Sequence, residues 1–170
     1  MMKVNDNEIL WTKIKSDAKI PTKLKENAGY DIYACFNEDF IKIPLGQTKL
    51  IPTGLACAFS HNYYIQLEER GSTGSKGIKI SAGVIDSGYR GEIFVALTNC
   101  SGKNILISKL NKHELVNVKT EDTIIYPYDK AICQGIVHIV PNLESKETNY
   151  NELLKYNSER GYGSLGSSGK

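Results

Sequence analysis

The sequence predicts an all-β barrel or sandwich. Short stretches of apolar, β-branched and aromatic residues recur along almost its whole length, Gly, Pro, Asn and Asp separate them, and helical patterning is confined to one short stretch near the end. Its 170 residues suit one compact domain with a single core. Apolar residues at 41% and charged residues at 24% are ordinary for a soluble globular protein, so the bulk of the chain should fold.

The expected strands begin with ILWTKI (9–14) and YDIYACF (30–36), whose β-branched and aromatic side chains fit a pleated, half-buried surface. TKLIPTGLACAF (48–59), YYIQLEE (63–69), IKISAGVID (78–86) and EIFVALTN (92–99) continue the series, and NILISKL (104–110), TIIYPY (123–128) and AICQGIVHIV (131–140) complete it. A helix is expected over 149–156, with Thr148 or Asn149 as its cap and Leu153, Leu154 and Tyr156 as a small apolar patch. SERGYGSLGSSGK (158–170) is rich in Gly and Ser and should be flexible by itself. The polar interval between Cys100 and Asp129 is longer than an ordinary hairpin connection. The expected organisation is therefore a β domain over 1–148 with a polar insertion at about 101–128, a short helix and linker at 149–157, and a flexible C-terminal lid at 158–170.

A net charge of +2, from 21 basic and 19 acidic residues, gives no broad basic face for duplex nucleic acid, so any polyanion bound should be small. Cys35, Cys57, Cys100 and Cys133 lie far apart with no CxxC pair, which argues against zinc and for small buried hydrophobes in a reducing compartment. Asp6 and Glu8 interrupt the first apolar stretch before a signal-peptide core could form, and no run of about 18 apolar residues follows. A cytoplasmic location away from membranes is expected.

Two segments carry chemistry by residue type. DSGYRGE (86–92) has the form of a tight hairpin, in which Asp86 is either a catalytic carboxylate or a turn residue bonded to its own backbone. LEERGSTGSKGI (67–78) gathers Arg70, Ser72, Thr73, Ser75 and Lys76 among three glycines after a strand, a composition suited to phosphate although it lacks the Walker pattern. The tail RGYGSLGSSG (160–169) repeats that composition and reads as a mobile lid or as an unstructured end. Asp31 in AGYDIYA (28–34) and Gln134 in KAICQGI (130–136) read, on their own, as polar residues within strands.

In this order the five segments resemble the five signature motifs of the homotrimeric dUTP diphosphatase (dUTPase) family, over nearly the whole chain. AGYDIYA, RGSTGSKG, AGVIDSGYRGEI, KAICQ and RGYGSLGSSG are similar to the first through fifth motifs; the first, third and fifth are specific, the second and fourth degenerate. The resemblance implies a distorted jelly-roll β-barrel that forms a homotrimer with shared active sites. It implies Mg²⁺-dependent hydrolysis of dUTP to dUMP and pyrophosphate, which controls the dUTP level and supplies dUMP.

Carried over by resemblance, Asp86 orients the water that attacks the α-phosphate. Tyr89 lies beneath the deoxyribose and excludes a 2′-hydroxyl, and the backbone of Gly83, Val84 and Ile85 reads uracil. Asp31 supports water around the magnesium ion rather than binding it directly. Arg70, Gly71, Ser72 and Thr73, with Gln134 and Arg160, lie along the phosphates, while Leu165, Gly166 and Ser167 belong to the closing tail. Two departures stand out: the family reads Arg-Ser-Gly where this chain has Arg70, Gly71 and Ser72, which favours Ser72 over Ser75 as the phosphate hydroxyl, and Leu165 replaces a phenylalanine that stacks on uracil.

The dCTP deaminase family shares the Asp-x-Gly-aromatic pattern of Asp86 to Tyr89. Its acid/base glutamate has Ala96 at the matching position here, which disfavours deamination. A regulatory protein partner held through residues 101–128 is a further, different expectation, beside that of a plain surface elaboration.

Overall fold

Twelve strands appear among the described residues, 3–115 and 122–163, of the computed structural model, and they fall into four small sheets. In residues 3–140, β1 (Ile9–Lys13) pairs antiparallel with β5 (Leu55–Phe59). β3 (Phe40–Ile43) pairs antiparallel with β10 (Asn104–Ser108), which pairs parallel with β11 (Thr123–Pro127). The sheet that carries most of the site runs in the order β2 (Gly29–Ile32), β12 (Cys133–Ile139), β6 (Tyr63–Glu68), β8 (Val84–Ile85). β4 (Thr48–Pro52), β9 (Phe94–Asn99) and β7 (Ile78–Ser81) form the fourth.

One core joins the sheets: Ile32, Ile43, Ile51, Ile65, Leu67, Val95, Leu97, Ile105, Ile107 and Tyr126 are all buried in a single cluster. Each such aliphatic side chain contributes about 1.5–3 kcal/mol relative to exposure, so the many strands are held by shared burial more than by any one pairing. Tyr126 is buried with its hydroxyl donating to Ala131 O at 2.7 Å, which satisfies the one polar atom it brings inside.

The structure divides two expected strands. The run 48–59 breaks at Gly54, whose φ of 65° turns the chain out of the β4 sheet into the β1–β5 pair. A Cβ there would stand 3.0 Å from both Ala18 Cβ and Cys35 Sγ. The run 78–86 breaks at Ala82, with φ of 51°, so β7 and β8 lie in different sheets. The run 30–36 is extended only to Ile32; Ala34, Cys35 and Phe36 are buried as irregular backbone, tied by Cys35 N–H donating to Pro52 O at 2.7 Å. β3 has no counterpart among the expected strands, because four residues ahead of Pro44 carry too short an alternation.

Within 101–128, β10 and β11 belong to the barrel, and Ile105, Leu106, Ile107 and Tyr126 are core residues. Residues 109–115 lie outside these strands, with Leu115 buried, and 116–121 lie outside the described residues. Cys35, Cys57 and Cys133 are buried, and burial pushes the Cys57 thiol up to about 11 and that of Cys133 higher still, so both are inert. Cys100 is exposed, contrary to its expected burial.

Residues 141–163 form a second unit. Its helix α2 is only Tyr150–Leu153, and Asn149 is the cap, its side chain accepting Glu152 N–H at 2.9 Å. Arg160 and Gly163 close a turn in which Arg160 Nε donates to Gly163 O at 2.8 Å. Leu165, Gly166 and Ser167 lie outside the described residues. No helix among the described residues is long and apolar enough to cross a membrane.

Candidate functional site

The loop that follows β8 is built by local rules, but it is not the expected two-stranded hairpin: β8 pairs with β6, whereas β9, from Phe94, pairs with β4 and β7 in another sheet. The hairpin is thus only the Asp86–Tyr89 turn and its flanks. Ile85 pairs with Ile65 and Val84 with Gln66, and Asp86 O accepts Tyr89 N–H at 3.1 Å to close the turn. Arg90 locks the turn from outside, its guanidinium donating to Ser87 O at 2.6 Å and Tyr89 O at 2.8 Å. Tyr89 donates its hydroxyl to Glu92 O at 2.8 Å, so its ring is fixed while 46% of the residue stays exposed. Glu92 in turn accepts Gly54 N–H at 2.8 Å, anchoring the hairpin to the corner between β4 and β5. Gly83 is pressed onto β6: its carbonyl accepts Leu67 N–H at 2.7 Å, and a Cβ would lie 2.7 Å from Leu67 O.

These contacts shape a cleft of about 230 Å³ lined by Leu67, Ala82, Val84, Ile85, Asp86, Tyr89, Glu92, Ile93 and Phe94. It offers an apolar floor, one exposed aromatic ring and an exposed carboxylate on Asp86. That combination suits a flat, weakly polar ring held beside a carboxylate that can accept a proton from water.

A second cleft, of about 510 Å³ and almost wholly polar, opens where β2, β12 and the turn after β6 meet. Arg70 grips Asp31 through Nε to Oδ1 at 2.9 Å and through its terminal nitrogen to Oδ2 at 3.3 Å, both side chains being 32% exposed. At that exposure the pair adds little stability, and its effect is to aim the guanidinium. Gln134 lies opposite Asp31 in the β2–β12 register and donates Nε2 to Glu69 O at 2.8 Å. Gly29 leaves room for it, since a Cβ there would stand 2.9 Å from Gln134 Oε1. Gly71 and Ser72 also face this cleft.

Ser72 therefore stands beside Arg70 and Gln134, whereas Ser75 is not part of the lining. Thr73, expected along the phosphates with Arg70, Gly71 and Ser72, is not among the residues that line this cleft. It is 1% exposed, and its hydroxyl accepts Arg70 N–H at 2.9 Å and donates to Arg70 O at 3.0 Å, so it shapes the short helix α1 (Gly71–Gly74) that follows Arg70. The two clefts share no lining residue: Asp86, Tyr89, Val84 and Ile85 belong to one, and Asp31, Arg70, Gly71, Ser72 and Gln134 to the other. Arg160 sits in the separate C-terminal unit.

Sequence reasoning missed the holding groups Glu69, Arg90 and Glu92. Their signal was present as charged residues inside or beside the quoted motifs, but only pairing distances give them work. A larger cleft of about 590 Å³ beside Lys3, Asp6 and Arg90 has its carboxylate engaged, because Asp6 accepts from Ser60 Oγ and from Asn62.

Among the described residues no group of three or more His, Cys, Asp or Glu side chains could hold a metal ion. Asp31, already engaged by Arg70, fits a water-mediated contact, and the donor set fits an ion that arrives on phosphate oxygens.

A family model described as dUTPase matches residues 16–112. The deoxyuridine 5′-triphosphate nucleotidohydrolase of Nautilia profundicola is 35% identical over 162 residues, covering 93% of this chain and 96% of that protein. The dUTPase of Staphylococcus bacteriophage 80alpha, solved with dUpNHpp, superposes with a TM-score of 0.73 at 23% identity over 96% of this chain and 99% of that one. A mutant dUTPase of S. aureus phage phi11, described as revealing the coordination of a structural Mg(II) ion, has a TM-score of 0.67 at 21% identity over 86% of this chain and 99% of that one. The mainly β architecture is thus the jelly-roll fold of those enzymes.

Proposed function

The chain belongs to the dUTPase family, and from that premise we propose that its two clefts together hydrolyse dUTP to dUMP and pyrophosphate. The observation that carries the reading is the division of labour: an apolar cleft with Tyr89 and Asp86 suits a uracil deoxynucleoside, and a polar one with Arg70, Ser72 and Gln134 suits a phosphate chain. Tyr89, its hydroxyl held by Glu92 O, presents its ring to the sugar and leaves no room for a 2′-hydroxyl. Backbone groups of Gly83, Val84 and Ile85 read the uracil edge. Asp86 accepts a proton from the water that attacks α-phosphorus. Arg70 and Gln134 hold the phosphate chain in line, and Asp31 keeps Arg70 aimed.

Magnesium, when bound with the triphosphate, compensates its charge and that of the leaving pyrophosphate. Asp31 would hold the ion through water rather than directly. Because Asp86 and Arg70 line different clefts of one chain, a homotrimer that joins one copy's hairpin to another's arginine cleft completes the site. The tail with Arg160, Leu165, Gly166 and Ser167 closes it, and the enzyme works in the cytoplasm.

Incubation with dUTP, dCTP, dTTP and UTP, following pyrophosphate and ammonia, tests the reaction. Pyrophosphate from dUTP alone is expected, and ammonia from dCTP would overturn it; Ala96, buried in β9, leaves no carboxylate for deamination there. Light scattering should give three times the 18.9 kDa chain mass, and a stable monomer would sink the shared site.

A further inference from the structure

Glu69 lines neither cleft, yet it touches the framework of both. Its Oε1 accepts Ile80 N–H at 2.9 Å, and its carbonyl accepts Gln134 Nε2 at 2.8 Å. The next residue is Arg70, whose fork is held by Asp31. β7 is an edge strand among the described residues: Ile80 faces Leu97 of β9 on one side and no described strand on the other. Such an edge needs a partner for its outward N–H groups, and the Glu69 carboxylate provides one. Two residues on, Ala82 turns the chain and Gly83 docks on Leu67. The segment 67–69 is thereby tied on one side to the strand entering the hairpin and on the other to β12.

We propose that Glu69 is a positioning residue for dUTP hydrolysis: its carboxylate, clamped on the Ile80 amide, fixes the peptide that carries Arg70 and holds Gln134, so that both meet the phosphate chain in the right place. The hydrogen bond from Ile80 N–H holds the Glu69 carboxyl below the ordinary glutamate range, so the acceptor is charged at neutral pH and the clamp is correspondingly strong. The inference rests on the dUTPase reading above.

The test compares Glu69→Ala, Glu69→Met and Glu69→Gln with wild type. Binding of dUpNHpp and of dUMP is measured beside kcat and KM for dUTP and the thermal midpoint. Loss of the acceptor should weaken dUpNHpp at least about tenfold and dUMP by about twofold or less, because only the grip on the outer phosphates is misplaced. Glu69→Gln keeps an oxygen at the same place and should restore most of the difference. A lowered midpoint with an unchanged ratio of the two affinities overturns the proposal, and so does failure of both Glu69→Ala and Glu69→Met to fold. Wild type that releases no pyrophosphate from dUTP would instead overturn the function itself, whatever the variants do.

Discussion

The two clefts are made in opposite ways. Eight of the nine residues lining the hairpin cleft fall between Ala82 and Phe94, and only Leu67 comes from elsewhere. The polar cleft draws on residues 26–29, 31, 70–72 and 134, which meet only because β12 lies between β2 and β6. A contiguous loop carries most of its geometry in its own turn closure, and only the short β8 needs a distant partner, β6. A cleft assembled from distant strands depends on register, where a slip of one residue would turn Gln134 to the other face of the sheet. The first kind of site tolerates distant change and fails by loss of its reacting group; the second fails by loss of alignment.

The sharpest break of this contrast is Asp86→Asn, which should keep dUpNHpp binding and lower kcat by about 10²–10⁴-fold in single-turnover measurements. Near-normal turnover would remove Asp86 from the chemistry. Arg70→Lys keeps the charge but loses the two-pronged grip on Asp31, so kcat/KM for dUTP should fall about 10- to 100-fold. An unchanged value would mean that the polar cleft does not hold phosphate. Gly83→Ala should cost about 1–3 kcal/mol in urea unfolding, because the new methyl group meets Leu67 O; unaltered stability would show that the hairpin is not pressed onto β6.

The smallest effect expected is acidic. The folded Glu69 carboxyl titrates below its unfolded value, so its contribution is complete above the ordinary glutamate range and is lost as pH falls through the lower folded value. The thermal midpoint of wild type should therefore decline slightly more steeply than that of Glu69→Gln in that acidic window. Parallel declines would leave the Ile80 clamp without energetic weight.

The turn was legible because AGVIDSGYRGEI holds β8 and the Asp86–Tyr89 turn in adjacent residues, but the returning strand of a hairpin was not, since β9 begins only at Phe94 and joins another sheet. Ser72 lines the polar cleft and Ser75 does not, while the Thr73 hydroxyl turns to the Arg70 backbone; in sequence a hydroxyl in a glycine-rich loop has the same appearance whether it faces a ligand or its own backbone. Glu69 and Glu92 gave no sign of their partners, Ile80 and Gly54, which lie 11 and 38 residues away in sequence. β3 escaped notice for the same reason, since its pairing with β10 spans far more chain than a pattern of four residues can specify.

Composition and alternation determined the β class, and residue types within short motifs determined the chemistry, because both depend on neighbours within one turn or strand. The tertiary structure alone decided where strands change sheet, at Gly54 and Ala82, and that Asp86 and Arg70 line separate clefts of one chain. Those outcomes follow from which distant backbone amides find partners and which apolar faces share a core, and no local stretch of sequence contains both members of such a pair.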